Sequence, residues 1–264
     1  MSPMRLIVLG CSGSGPGPGG PASGYLVEAG DTRLTLDLGN GTFGALQRHV
    51  DPWQLDAAVF SHLHADHCSD FASLTVFRRY HPRPPYDATA RRLAVHAPAE
   101  APDRFAAAYA PSAAERAATD LSDVFTFHAL TDGSSTAVGE VTVGATAVDH
   151  PCETYALRVG HGGRTLVYSG DTGPCDGLVT AARGADVLLC EASWPHVCEQ
   201  YAEPPTGVHL SGRQAGEHAA AAGVGRLLLT HVPAWFDPQE LLTEAKAAFD
   251  GPVDVVSNDG TYDI

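Results

Sequence analysis

Ala57-Ala58-Val59-Phe60-Ser61-His62-Leu63-His64-Ala65-Asp66-His67 places four metal-binding side chains within six residues, directly behind an apolar run of strand length. Alternation along an extended segment sets His62 and His64 on one face. A turn into a helix then carries Asp66 and His67 round to a second point. One loop of this kind can feed two neighbouring cations, which makes it half of a two-metal hydrolase site. The rival reading, a His-rich loop that merely punctuates the end of a strand, leaves this density of imidazole and carboxylate unexplained.

Two cations need more ligands, and three further residues stand where apolar strands end. His150 follows residues 145–149, Asp171 follows 165–168 in Ser169-Gly170-Asp171-Thr172, and His231 follows 226–230. If those strand ends converge, one cation takes His62, His64 and His150. The other takes Asp66, His67 and His231, with Asp171 between them. A single carboxylate can serve two cations about 3.5–4 Å apart while a hydroxide spans the remaining gap. Taken alone, a strand-end histidine is an ordinary surface or core residue. Here the first cluster demands partners.

The 264 residues carry a formal charge of −15 and are 44% hydrophobic, enough apolar side chain for a sizeable core. One domain over residues 1–264 is expected. The acidic balance argues against a basic groove for nucleic acid, which needs clustered Lys and Arg. Six cysteines lack any paired short spacing and read as reduced thiols. Val8-Leu9-Gly10-Cys11 imitates the end of a lipoprotein signal, but the apolar run 6–9 is far shorter than the roughly 7–15 residues of a secretory segment. No later stretch approaches the ~20 apolar residues that span a bilayer. A soluble, cytoplasmic protein with no membrane partner is expected.

Strands are expected at 5–9, 25–29 and 33–37, the last two joined as a hairpin at Gly30-Asp31, and then at 57–61. Helices are expected at 42–49 and 70–80, with a surface loop at Pro82, Pro84 and Pro85. The Ala-rich stretch 99–119, interrupted by Pro102 and Pro111, should give short helices. Strands at 124–128, 140–143, 145–149, 154–159 and 165–168 read as an antiparallel meander. The remainder alternates strand 187–191, helix 211–222, strand 226–230, helix 238–249 and strand 253–256. Ser211-x-x-Gln214 has the form of a capping box, and Asp237-Pro238-x-Glu240 offers a cap, a first-turn Pro and an acid. Strands near both ends of the chain, with helices following in each half, imply two sheets packed face to face under outer helices, an α/β/β/α arrangement.

Through Ser61-His62-Leu63-His64-Ala65-Asp66-His67, Ser169-Gly170-Asp171-Thr172 and Leu229-Thr230-His231, in that order, nearly the whole chain resembles the metallo-β-lactamase superfamily. That implies the four-layer α/β/β/α metallo-β-lactamase sandwich. Leu189-Cys190-Glu191-Ala192-Ser193 and His209-Leu210-Ser211 make it most similar to the ribonuclease Z-like branch, whose Glu and His at the positions of Glu191 and His209 are taken to act as a proton shuttle. Pro21-Ala22-Ser23-Gly24-Tyr25-Leu26, Gly44-Ala45-Leu46-Gln47-Arg48-His49 and Phe77-Arg78-Arg79-Tyr80-His81-Pro82 look closest to actinobacterial members described as cyclic-nucleotide phosphodiesterases. Bacterial ribonuclease Z enzymes carry a long arm between the positions of His150 and Asp171 to grip tRNA. Only residues 151–170 lie there in this chain, all taken up by a hairpin. Dimers are common in the branch, so a homodimer is implied by resemblance alone.

The resemblance therefore implies a dinuclear phosphodiesterase that hydrolyses 3′,5′-cyclic nucleotides such as cAMP. The cofactors are two divalent ions, zinc first and manganese or magnesium as alternatives. The expected nucleophile is a metal-bridging hydroxide, because two cations lower the pKa of bound water from about 15.7 towards about 7. His209 is the candidate donor to the departing ribose oxygen, oriented by Glu191, and Asp66 is counted with both the ligands and the catalytic residues. A residue flanking a helix cap is the rival reading for His209, and a structural salt bridge for Glu191. The Gly/Pro-rich loop 10–20 lacks the Gly-Lys-Ser/Thr ending of a P-loop, and an anion cradle and a plain connector stand equal for it. Cys68 and Cys152 are expected to pack rather than coordinate. The partner is a small phosphodiester, with tRNA disfavoured, and no substrate-binding residue is assigned. The competing functions are tRNA 3′-end processing, acyl or lactone hydrolysis, and a non-catalytic binding module.

Overall fold

The computed structural model describes residues 4–197 and 206–264; Cys198 lies outside them. The first half runs β1 (Met4–Gly10), β2 (Gly24–Ala29), β3 (Thr32–Leu38), α1 (Thr42–His49), β4 (Ala57–Val59), α2 (Ala65–Cys68) and α3 (Phe71–Tyr80). It continues with β5 (Leu93–Ala97), α4 (Ala101–Tyr109), α5 (Ala113–Ala118) and β6 (Phe125–Ala129). The second half runs β7 (Ser135–Val138), β8 (Val141–Ala147), β9 (Tyr155–His161), β10 (Arg164–Tyr168), α6 (Asp176–Ala182) and β11 (Val187–Glu191). After these come α7 (Gly212–Ala222), β12 (Arg226–Thr230), α8 (Pro238–Ala248), β13 (Val253–Val255) and β14 (Thr261–Asp263).

Two seven-stranded sheets result, ordered β14-β1-β2-β3-β4-β5-β6 and β13-β12-β11-β10-β9-β8-β7. Each is antiparallel at one end and parallel at the other: β3 to β6 run parallel in the first sheet, β10 to β13 in the second. Parallel neighbours need helical crossovers, and those helices cover the outer faces. Leu6, Val8, Tyr25, Leu36, Leu157, Tyr168 and Leu189 fill the space between the sheets. Phe60, Phe71, Phe105 and Phe125 seal the first sheet to its helices, and Leu178, Ala215, Leu229 and Leu241 the second. Three apolar seams separating four layers make the α/β/β/α sandwich that the sequence implied.

The elements differ from expectation in three respects. β5, β7, α6 and β14 were not anticipated. Residues 140–143 and 145–149 do not form two strands, because β8 runs through Gly144, which is held in register opposite Arg158 of β9. Pro102 does not interrupt a helix but sits in the first turn of α4, where its missing N–H costs nothing. The capping box at Ser211 and Gln214 forms in both directions, and the Asp237 carboxylate accepts from Gln239 N–H. No helix among the described residues is long and apolar enough to cross a membrane.

Candidate metal centre

The loops after β4, β10, β11 and β12 leave the carboxyl ends of parallel strands, where open α/β sheets present their ligands. The β4 exit gives Ser61 and His62, extended backbone continues to His64, and α2 begins at Ala65. His67 is thereby wound to the far side of His62. Gly39 is needed beneath this turn, because a Cβ there would run into the Asp66 carbonyl oxygen. His150 follows β8, Asp171 follows β10, and His231 follows β12.

All seven expected ligands meet. His62, His64, His150 and Asp171 bring one donor atom each to within 4.8 Å of one another, and Asp66, His67, Asp171 and His231 do the same. Asp171 belongs to both groups, as the proposed bridge requires. Its Oδ1 lies 3.2 Å from His67 Nε2, and its Oδ2 lies 3.7 Å from His62 Nε2 and 3.5 Å from His231 Nε2. His62, His67, Asp171 and His231 are buried, whereas His64 is exposed and His150 half-buried.

Hydrogen bonding behind the rings decides which nitrogen faces inward. Val208 carbonyl accepts from His150 Nδ1–H at 2.8 Å, and Asp37 Oδ2 accepts from His67 Nδ1–H at 2.8 Å. The Ser61 hydroxyl is donated to Asp37, so its oxygen accepts from His62 Nδ1–H at 3.0 Å. The Ser193 hydroxyl is donated to Glu191 Oε2 at 2.6 Å, so its oxygen accepts from His231 Nδ1–H at 2.8 Å. Four Nε2 lone pairs are left pointing inward, a tautomer set imposed from behind as in histidine metal sites.

This donor set fits cations. His62 Nε2 and Asp171 Oδ1 are buried without a hydrogen-bond partner among the described residues. His67 Nε2 faces His231 Nε2 at 3.2 Å, two lone pairs that repel unless positive charge lies between them. The electrostatics agree. Burial, then the neighbouring His67, hold the His62 imidazole neutral with its pKa well below the ordinary value. Burial opposes ionisation of Asp171, yet His231, His67 and His62 together hold its pKa well below the carboxylate range. Burial also opposes charge on His67, and Asp171 and Asp37 overcome it, so this spot favours a positive charge.

Glu191 and His209 stand beside the cluster. Glu191 is fully buried; its Oε1 accepts from Thr172 N–H, and Oε2 lies 2.9 Å from His209 Nδ1. His209 Nδ1 is also 3.8 Å from Asp171 Oδ2. Burial pushes the His209 imidazolium down, but the Glu191 carboxylate outweighs it and carries the pKa up to about 9. Trp194 packs edge-on against the His209 ring at 5.1 Å. Cys152 Sγ lies 3.8 Å from His64 Nε2, whereas Cys68 Sγ turns to the Leu63 carbonyl. The five described cysteines are free.

Sequence reasoning missed Asp37. Fully buried at the end of β3, it takes four hydrogen bonds: from Ser61 N–H, Ser61 O–H, His67 and Tyr168 O–H. Its φ of 59° and the 57° of His231 lie in the left-handed region that non-glycine residues rarely enter. The run Leu34-Thr35-Leu36-Asp37-Leu38 alternates like a half-exposed strand, and that pattern hid the burial of Asp37 on its second face. Ser193 was missed too, because a serine two residues beyond Glu191 carries no signal of its own.

A beta-lactamase superfamily domain matches residues 32–232. An uncharacterised protein of Mycobacterium leprae is 48% identical over 263 residues, covering 99% of this chain and 89% of its own. The probable metallo-hydrolase YhfI of Bacillus subtilis is 29% identical over 265 residues, 97% of this chain and 98% of its own. The crystal structure of that metallo-beta-lactamase fold protein has a TM-score of 0.85 at 26% identity, over the whole of both chains. The short form of human tRNase Z shares the fold with a TM-score of 0.73 at 18% identity, covering 98% of each chain.

Proposed function

We propose that this chain, which belongs to the beta-lactamase superfamily and is a metallo-hydrolase of that fold, is a dinuclear phosphodiesterase that hydrolyses 3′,5′-cyclic nucleotides such as cAMP to nucleoside monophosphates. The observation that carries this reading is the His209–Glu191 pair, 2.9 Å apart and within 3.8 Å of Asp171. A phosphodiester expels an alkoxide that needs a proton, and an imidazolium beside the reacting centre supplies one.

In this reading His62, His64 and His150 would hold one cation and Asp66, His67 and His231 the other, and Asp171 would be available to both. Zinc suits the imidazole-rich set, manganese or magnesium the carboxylate share. Two such cations would supply Lewis acidity, lowering the pKa of water towards about 7 and neutralising charge on a phosphoryl group. The protein's own side chains do the rest. Glu191 is immobilised by Thr172 N–H and Ser193 O–H, so its negative charge stays 2.9 Å from His209 Nδ1 and favours the protonated ring. That leaves Nε2 as the atom that gives a proton to the departing ribose oxygen. Through Ser193 the same carboxylate also fixes the His231 tautomer, tying proton donor and ligand to one anchor.

Substrate size follows from what surrounds the site. Of residues 151–170, β9, β10 and the turn between them take up 155–168, leaving six residues, too few for an arm to reach along a tRNA. The net charge of −15 opposes a polyanion and is no obstacle to a small phosphodiester held by cations. Incubation of the metal-loaded protein with cAMP, 2′,3′-cyclic nucleotides, precursor tRNA and a lactone tests the assignment. Hydrolysis of the 3′,5′-cyclic nucleotide is expected; cleavage of precursor tRNA or of the lactone alone would overturn it.

A further inference from the structure

The Gly/Pro-rich loop 10–20 has no part in the chemistry above, yet it is fastened to it. Gly13 lies so close to His231 that a Cβ would strike the His231 carbonyl oxygen, and Ser14 N–H points to His231 Nε2 at 3.5 Å. Ser12 forms a parallel bridge with Val232, the residue directly after that ligand. Beyond this fastening the loop forms one wall of a cavity of about 420 Å³, within the size range of small-molecule sites. The opposite wall is the segment that leaves β12 and β13.

The lining is a mixture suited to a flat heterocycle. Pro18, Val232 and Phe236 give apolar faces, while Cys11 and Asn258 bring polar atoms. The Ser12 hydroxyl oxygen is buried beneath Gly17, behind the cavity wall, without a hydrogen-bond partner among the described residues. Asn258 is clamped in place: Nδ2–H donates to the Gly19 carbonyl at 2.9 Å, and Oδ1 accepts the Cys11 thiol at 3.5 Å. Among the described residues no further hydrogen bond engages the second Nδ2 hydrogen or the second Oδ1 lone pair, a donor next to an acceptor. That pair matches N7 and the exocyclic amine of adenine, which an asparagine amide reads in bidentate fashion.

We propose that this cavity is the nucleoside subsite, in which the loop 10–20 and Phe236 enclose a purine and Asn258 reads its edge while the phosphate sits at the metal centre. The proposal deepens the phosphodiesterase reading and rests on it for the position of the phosphate. It also explains why a glycine-rich loop without a P-loop ending is held against a ligand histidine: the loop contacts the sugar and base side of the substrate.

The test uses the full chain and separates base recognition from chemistry. Adenosine, which has no phosphate, is titrated calorimetrically into the wild type, Asn258→Leu and Phe236→Ala, with thermal melting to show that each variant is folded. In parallel, kcat and KM are measured for cAMP and for bis(4-nitrophenyl) phosphate, which has no base. Adenosine should bind the wild type and bind Asn258→Leu about tenfold more weakly, the size of one lost hydrogen-bonded pair. KM for cAMP should rise by a similar factor, and turnover of bis(4-nitrophenyl) phosphate should stay within about twofold. A wild type that does not bind adenosine, or folded variants that bind it equally well, would overturn the subsite. Adenosine binding as described without cAMP hydrolysis would leave the subsite standing and defeat the phosphodiesterase reading instead.

Discussion

Asp37 Oδ2 lies 2.8 Å from His67 Nδ1, and the same carboxylate takes the Ser61 hydroxyl that orients His62. One buried side chain therefore sets the ring nitrogens presented by a histidine from each of the two four-residue groups. Asp37→Asn keeps the shape but offers an N–H where His67 needs an acceptor, which drives the ring toward the other tautomer. Metal affinity should fall about 10–100-fold, the usual cost of losing such a supporting carboxylate. Competition against a metal-binding dye measures it, and unaltered affinity would remove Asp37 from the site.

Asp171 is the residue common to both groups of donor atoms. Asp171→Ala should lower bound metal, measured by elemental analysis, and bring turnover to background. Wild-type protein stripped with chelator should behave alike and regain both activity and several degrees of melting temperature on adding back zinc, because a ligand that binds the folded state stabilises it. Full activity of the metal-free protein would contradict the assignment.

His209 is proposed to act on the leaving group, so its removal should depend on what departs. His209→Gln should slow cAMP hydrolysis about 10²–10⁴-fold with metal content unchanged. For bis(4-nitrophenyl) phosphate, whose nitrophenolate departs without a proton, the loss should be far smaller. Glu191→Gln should show the same dependence on leaving group. Equal losses on both substrates would point to a positioning role instead.

His96 tests the fold rather than the chemistry. It lies opposite His128 in the β5–β6 register, the two rings stacked with centroids 4.8 Å apart, and it is buried at 6% exposure. Burial, then the adjacent His128, lower its pKa from 6.5 to about 4. Between those values the unfolded chain binds a proton that the folded chain refuses. Stability should therefore fall as pH drops through 6.5 and level off below about 4. His96→Phe retains the stack and should flatten this part of the profile in urea unfolding; an unchanged slope would assign the acid sensitivity elsewhere.

Local signals were legible in the sequence. The run from His62 to His67 specifies its own geometry, since an extended segment entering a helix places its side chains wherever it occurs. The caps at Ser211 and Asp237 and the periodic strands could be read for the same reason. Elements without a pattern of their own could not be. β14 is three residues long and exists because the edge of β1 pairs with it. β8 continues through Gly144 because β9 holds the ladder together.

By itself, then, the sequence determined the ligand types, the strand–turn–helix that carries four of them, and the layered class of fold, since each depends on neighbours a few positions apart. Only the tertiary structure brought Asp171 within reach of both groups of donor atoms and Glu191 to His209, and only it disclosed that Asp37 orients two histidines and that Ser193 links Glu191 to His231. His67 and His231 meet across 164 positions of chain. Contacts at such separation are set by which strands pair and how two sheets face each other, information spread over the whole core rather than written beside any one residue.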